Sequence, residues 1–292
     1  MEFASTWYPA YFRTLADLAM LAQQIGLIGA GRMATALARG FLRAKLVVPS
    51  SLVVSDPDAT ARTRFASEMS GTTVVDDNKK VAAAADVLFL AVKPQQMSAA
   101  LDDIAGALRS QTLVVSIAAG VSIARLAEKL PQRTRIVRVM PNSPCLIGQG
   151  ASGYALGEQA TSEDGKMVHQ LLAAVGQAFE VPEKLLDAVT GLSGSGPAFV
   201  YTMIEAMTEG GVAMGLPQEL ASALAAQTVA GAAAMVQTTG QEPAALRDQV
   251  TSPGGTTLAG LAALDRGGFR SALVEAIRAA TRRSEELGKL PT

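Results

Sequence analysis

Little in this 292-residue chain can crosslink, hold a metal or act as a conventional acid–base pair. There is one cysteine, Cys145, and one histidine, His169. A single thiol excludes a disulfide framework and a thiolate metal cluster. A single imidazole leaves neither a zinc site nor a Ser-His-Asp set easy to assemble, so no metal is expected. The net charge of −1 supplies no basic face, which argues against a nucleic-acid partner. No unbroken apolar run reaches the roughly 18 residues of a membrane span. Nor does a basic segment precede a small-residue cleavage site, as a secretory signal would require. Together these absences describe a soluble protein of a reducing, cytoplasmic compartment.

What is present is aliphatic and organised. The length predicts one large domain or two modest ones. Residues 1–24 hold Trp7, Tyr8, Tyr11 and Phe12 and read as an appendage before the first strand. Ile25–Leu42 is the most informative stretch: a short apolar strand, then Gly29-Ala30-Gly31-Arg32-Met33-Ala34, then a helical pattern. The hexapeptide matches G-x-G-x-x-G/A. Gly29 serves the tight turn, Gly31 admits a pyrophosphate to the backbone, and Ala34 lets helix and strand pack closely.

Further strands follow at Ser51–Asp56, Asp86–Val92, Thr112–Ala118 and Arg135–Met140, with helical patterns between them. From Ile25 to about Glu180 this alternation predicts a mostly parallel, doubly wound sheet. Asp56 ends its strand where a carboxylate receives the adenosine ribose hydroxyls, which favours NADH; Arg62 and Arg64 nearby would soften that choice. A cap at the start of the following helix is an equally good role for it. Lys93-Pro94 turns at the carboxyl edge of the sheet, where open α/β sheets bind ligands, and Lys93 is read as touching the cofactor. Ala119-Gly120 is a small-residue edge against which a flat ring can lie. Asn142, between Pro141 and Pro144, is either turn chemistry or an amide that orients nicotinamide or substrate. Cys145 reads as an inert core thiol, and His169 as a surface residue of a helix near Ser162–Val175.

After Pro182 strand signals vanish. Gly191–Pro197 reads as a flexible lead-in, with Ser195 as a cap, to a helix over Ala198–Met214. A second helix runs to Met235, apolar on nearly all sides, and calls for burial in a subunit interface. Ser252-Pro253-Gly254-Gly255 then makes an unhindered turn, and Thr256-Thr257 opens another helix. Backbone N–H groups, a helix start and two hydroxyls suit a ligand carboxylate.

These blocks together resemble the pyrroline-5-carboxylate reductase family. The resemblance runs from about Ile25 to Leu287 and is sharpest over Val250–Asp265, VTSPGGTTLAGLAALD. Supporting blocks are Ala91–Pro94, Ser116–Gly120, Met140–Pro144 and Gly191–Ala198. It implies an N-terminal Rossmann-type sheet domain (25–183) and an all-α substrate-binding and dimerisation domain (184–292). It also implies self-association as a dimer, with a decamer of dimers as the larger form, and reduction of 1-pyrroline-5-carboxylate to L-proline by NADPH or NADH. Carried over by motif, Ile28, Gly29, Ala30, Gly31, Arg32 and Met33 hold the pyrophosphate. Ser55, Asp56 and Asn78 serve the adenosine side. Ala91, Val92, Lys93, Pro94, Ala119 and Gly120 approach the nicotinamide, and Gln249 falls at a cofactor position where relatives carry asparagine. Ser252, Gly254, Gly255, Thr256 and Thr257 hold the substrate carboxylate, with Thr257 as the catalytic candidate.

The substrate's cyclic C=N protonates readily, so the protein needs orientation more than a strong acid. Rival dehydrogenases of similar build use a lysine in the helical half. Lys184 is the only lysine between Lys166 and Lys289, which counts against them. A non-catalytic nucleotide sensor would have no use for the Ser252–Thr257 turn.

Overall fold

The computed structural model describes residues 20–289. Eight strands form one sheet in the order β3-β2-β1-β4-β5-β6-β7-β8. Their spans are β1 Ile25–Ile28, β2 Leu52–Ser55, β3 Thr73–Val75, β4 Val87–Leu90, β5 Leu113–Ser116, β6 Arg135–Met140, β7 Gly150–Leu156 and β8 Gly176–Glu180. All neighbours pair in parallel except β6 with β7. Six helices cross over: α1 Arg32–Arg43, α2 Ala59–Glu68, α3 Asn78–Ala84, α4 Met97–Ile104, α5 Ile123–Lys129 and α6 Ser162–Ala173.

Because helices cover both faces, the central strands are apolar on both sides rather than alternating. Leu27, Val54, Phe89, Val115 and Val137 pack into one core layer. Ile28, Val53, Leu88, Leu90 and Val114 pack into the other. β1, β2, β4 and β5 are buried along their whole length. Register then fixes the site: Ile28 pairs with Ser55 on one side and Leu90 on the other. The next residues, Gly29, Asp56 and Ala91, therefore leave the sheet side by side. The sheet order reverses between β1 and β4, the place where open sheets of this kind bind ligands.

Compact units do not follow chain order. One unit comprises residues 20–194 together with 279–289, and the other comprises 195–278. The sequence boundary at 183/184 thus lies inside the first unit. There α7 Leu186–Val189 is tied to β6 by Arg138, which pairs with Glu183 at 3.3 Å and Asp187 at 3.6 Å. The last helix, α12 Phe269–Lys289, ends in this unit too. Ser284 donates to Asp187 at 2.7 Å and Arg125 donates to the Gly288 carbonyl at 3.0 Å. The leader reading is shortened at its inner end, since Leu21 N–H donates to the Leu46 carbonyl and Gln24 N–H to Asp86. Residues 1–19 lie outside the described residues.

The second unit holds α8 Gly196–Ala213, α9 Gln218–Thr239, α10 Pro243–Gln249, α11 Thr256–Arg266 and the first half of α12. Of Gly191–Pro197, read as a flexible lead-in, the residues up to Gly194 belong to a wide helical turn, Thr190–Gly194, that follows α7, and α8 already begins at Gly196. Ser195 stands at the N-cap of α8 but makes no capping bond. α9 buries only Ala221 and Ala225. It is also long and apolar enough, with mean hydropathy 1.3, to cross a membrane by length and composition alone. A count of unbroken apolar residues passes over it, because Gln227 and Thr228 interrupt the run while alanines carry the average.

Candidate active site

The turn after β1 is shaped by the sheet beneath it. Gly29 adopts φ +103°, and a β-carbon there would lie 2.8 Å from the Ala91 carbonyl oxygen. Its N–H donates to Ser55 O at 2.7 Å, which ties the turn to β2. Gly31 is the N-cap of α1 and offers no side-chain cap, so the first N–H groups of α1 have no intrahelical partner. Space above Gly31 is open, so a β-carbon there would enter the cleft rather than meet protein. An anionic pyrophosphate fits such a cradle, both by clearance and by the partial positive charge of the helix start.

The cleft, about 560 Å³, is lined by Ile28, Gly29, Gly31, Asp56, Asn78, Ala91, Val92 and Lys93 among the predicted residues. Asp56 accepts from Ala30 N–H at 2.8 Å and from Asp58 N–H at 2.9 Å. The helix cap that competed with ribose binding is Asp58, which accepts from Thr60 N–H, and Asp56 stays in the cleft wall. Asn78 opens α3, and its carbonyl oxygen accepts from Ser55 Oγ at 2.7 Å. Ser55 itself is fully buried, bracing Asn78 from within the sheet.

Several predicted residues lie elsewhere. Gly120 is buried beneath α12, where Leu287 and Gly288 cover the face expected to carry a flat ring. Asn142 is occupied in holding the chain: its amino group donates to Ser193 O, and its oxygen accepts from Ala151 N–H at 2.9 Å. Gln249 ends α10 in the helical unit and donates to Gln241 at 2.7 Å. Ala30 is buried, Arg32 and Met33 open α1, and none of these three, nor Pro94 or Ala119, lines the cleft. Sequence reasoning missed Pro57, Gln95, Gln96 and Asp103, which line the cleft. The signal was Pro94, whose short turn directs the following helix along the cleft.

In the helical unit, Ser252–Gly255 forms the turn before α11. Gly254 sits at φ +68° and Gly255 N–H donates to Ser252 O at 3.0 Å. Gly255 is an N-cap without a side-chain bond, so the first N–H groups of α11 are uncapped. Cys145 is buried, and desolvation pushes its thiol above the usual range. His169 lies on α6 as expected but is half-buried, with its ring 6.2 Å from that of Tyr154. No cluster of metal-ligating side chains occurs among the described residues.

A glycine turn beside a strand-end carboxylate, at the reversal point of a parallel sheet, defines a dinucleotide-dependent oxidoreductase of the Rossmann class. Residues 24–120 match the family model described as NADP oxidoreductase, coenzyme F420-dependent. Residues 183–287 match the model for pyrroline-5-carboxylate reductase dimerisation. The pyrroline-5-carboxylate reductase of Methanosarcina acetivorans is 46% identical over 91% of this chain and 98% of its own. A solved reductase of the same name from Coxiella burnetii superposes with a TM-score of 0.86 at 34% identity, covering 92% of this chain and 100% of its own. The Plasmodium falciparum enzyme, solved with NADP bound, gives 0.83 at 33% identity, with 93% and 100% covered. This chain belongs to the pyrroline-5-carboxylate reductase family.

Proposed function

We propose that the chain catalyses the NAD(P)H-dependent reduction of 1-pyrroline-5-carboxylate to L-proline, the final step of proline biosynthesis, in the cytoplasm. The observation that carries this reading is one chain holding both a dinucleotide cleft and an uncapped, glycine-lined helix start at Ser252–Thr257. The sheet unit, residues 20–194 with 279–289, serves the coenzyme, and residues 195–278 serve substrate and dimerisation.

Bound reduced nicotinamide supplies a hydride. The substrate's iminium carbon gains it, and the C=N π pair moves to nitrogen, which already bears its proton. What the chain contributes is position. The uncapped N–H groups at the start of α11, presented by the Gly254-Gly255 turn, hold the carboxylate together with the hydroxyls of Ser252 and Thr256. The Thr257 hydroxyl bonds the substrate at its ring nitrogen or carboxylate. Holding the ring in one pose supplies the orientation that the reaction needs in place of a strong acid. The exposed apolar residues of α8 and α9 are covered by a second copy of the chain.

Purified protein mixed with pyrroline-5-carboxylate and either reduced coenzyme should consume the coenzyme's absorbance and yield proline. Thr257→Ala should lower kcat/KM by about 10²-fold, the order of one positioned polar contact, without changing the thermal midpoint. Absence of proline formation with both coenzymes would overturn the reading, and oxidation of a β-hydroxy acid would replace it.

A further inference from the structure

We propose that Asp56 makes this enzyme prefer NADH, by receiving the adenosine 2′,3′-diol and repelling a 2′-phosphate. This rests on the function proposed above, and it names the coenzyme of the same cleft.

Asp56 is clamped. Its Oδ2 accepts from Ala30 N–H in the glycine turn, and its Oδ1 accepts from Asp58 N–H at the start of α2. Donors from two separate segments fix the carboxylate against the cleft wall, so it cannot swing aside for a second anion. Each carboxylate oxygen offers about two acceptor positions, and the clamp uses one on each. One position per oxygen remains, which suits two neighbouring hydroxyls. A phosphate in place of one hydroxyl brings like charges together without a proton to share.

The two arginines that follow Asp56 in sequence give hydrogen bonds to the backbone of the loop that carries it and of the glycine turn. Arg62 Nη1 donates to the backbone carbonyls of Asp56 at 2.7 Å and Pro57 at 3.0 Å. Arg64 Nη2 donates to the Ala30 carbonyl at 3.0 Å. Both guanidinium groups thus hold the loop that presents Asp56, and neither lines the cleft. Arg32, at the start of α1, lies outside the lining as well. Opposite, Asn78 has its oxygen held by Ser55, which leaves a neutral amide on that wall.

Calorimetric titration of the full-length protein with NAD⁺ and NADP⁺ reads the preference without turnover. NAD⁺ should bind about tenfold tighter or more, the scale set by one unrelieved like-charge contact. Asp56→Ser should remove that margin by strengthening NADP⁺, and kcat/KM for NADPH over NADH should rise in parallel. Should the serine variant fold poorly, Asp56→Asn removes the charge within the same outline and should remove the margin in the same way. Equal or tighter NADP⁺ binding by the unaltered protein overturns the proposal, as does an unchanged ratio in both variants. Proline formation with either coenzyme keeps the reductase assignment standing whichever way the ratio falls.

Discussion

In the sheet unit, β1, β2, β4 and β5 are buried from end to end, whereas α9 buries two alanines of its 22 residues. Leu220 and Leu224 on that helix are about half exposed. The same apolar content has gone to different ends. The sheet closes its core with its own helices; the helical unit leaves large apolar side chains of α8 and α9 exposed, among them Tyr201, Leu220, Leu224 and Met235. One unit is complete as a single copy, and the other asks for a partner, in keeping with the dimerisation model matched over 183–287.

The hardest test of that contrast is a charge on α9. Leu224→Asp should reduce the light-scattering mass to that of one chain, at a cost to association of about 2 kcal/mol or more, as for a central apolar contact. An unchanged mass would show that α9 faces solvent after all. In the sheet unit, Gly29→Ala forces a side chain into φ +103° against Ala91. Strain of about 1–3 kcal/mol should weaken coenzyme binding roughly tenfold or more in a titration. Wild-type affinity would separate the cleft from the coenzyme. At the seam in the chain, Asn142→Ala leaves Ala151 N–H and Ser193 O without their partner. A loss of about 1–3 kcal/mol in urea unfolding is expected, and no change would mean that the wide turn at Thr190–Gly194 holds by itself.

The contrast also explains what the sequence made legible. β1, β2, β4, β5 and β6 stand out because buried parallel strands are continuous aliphatic runs. β3 is three residues long, and β7 and β8 begin with glycine and mix small with polar side chains, so no run marks them. The glycine turn, Asp56, Asn78 and Ala91–Lys93 gather as their motifs suggest, since register alone brings those strand ends together. Gln95, Gln96 and Asp103 belong to no motif and reach the cleft only through the path of α4. Gly191–Pro197 misled for a local reason. Glycine and proline signal a loop by themselves, while the bonds that fix the turn come from Asn142 and Ala151, more than forty positions away.

The tail of α12 completes the coenzyme half only after the entire helical stretch has been synthesised. On the ribosome, a nascent chain that has emerged through Lys184 carries every strand but lacks the segment that covers Gly120. Full stability of the sheet unit should therefore come late in translation, and a premature stop a few codons upstream of Ser284 should destabilise the amino-terminal part of the molecule by removing the partners of Asp187 and Arg125.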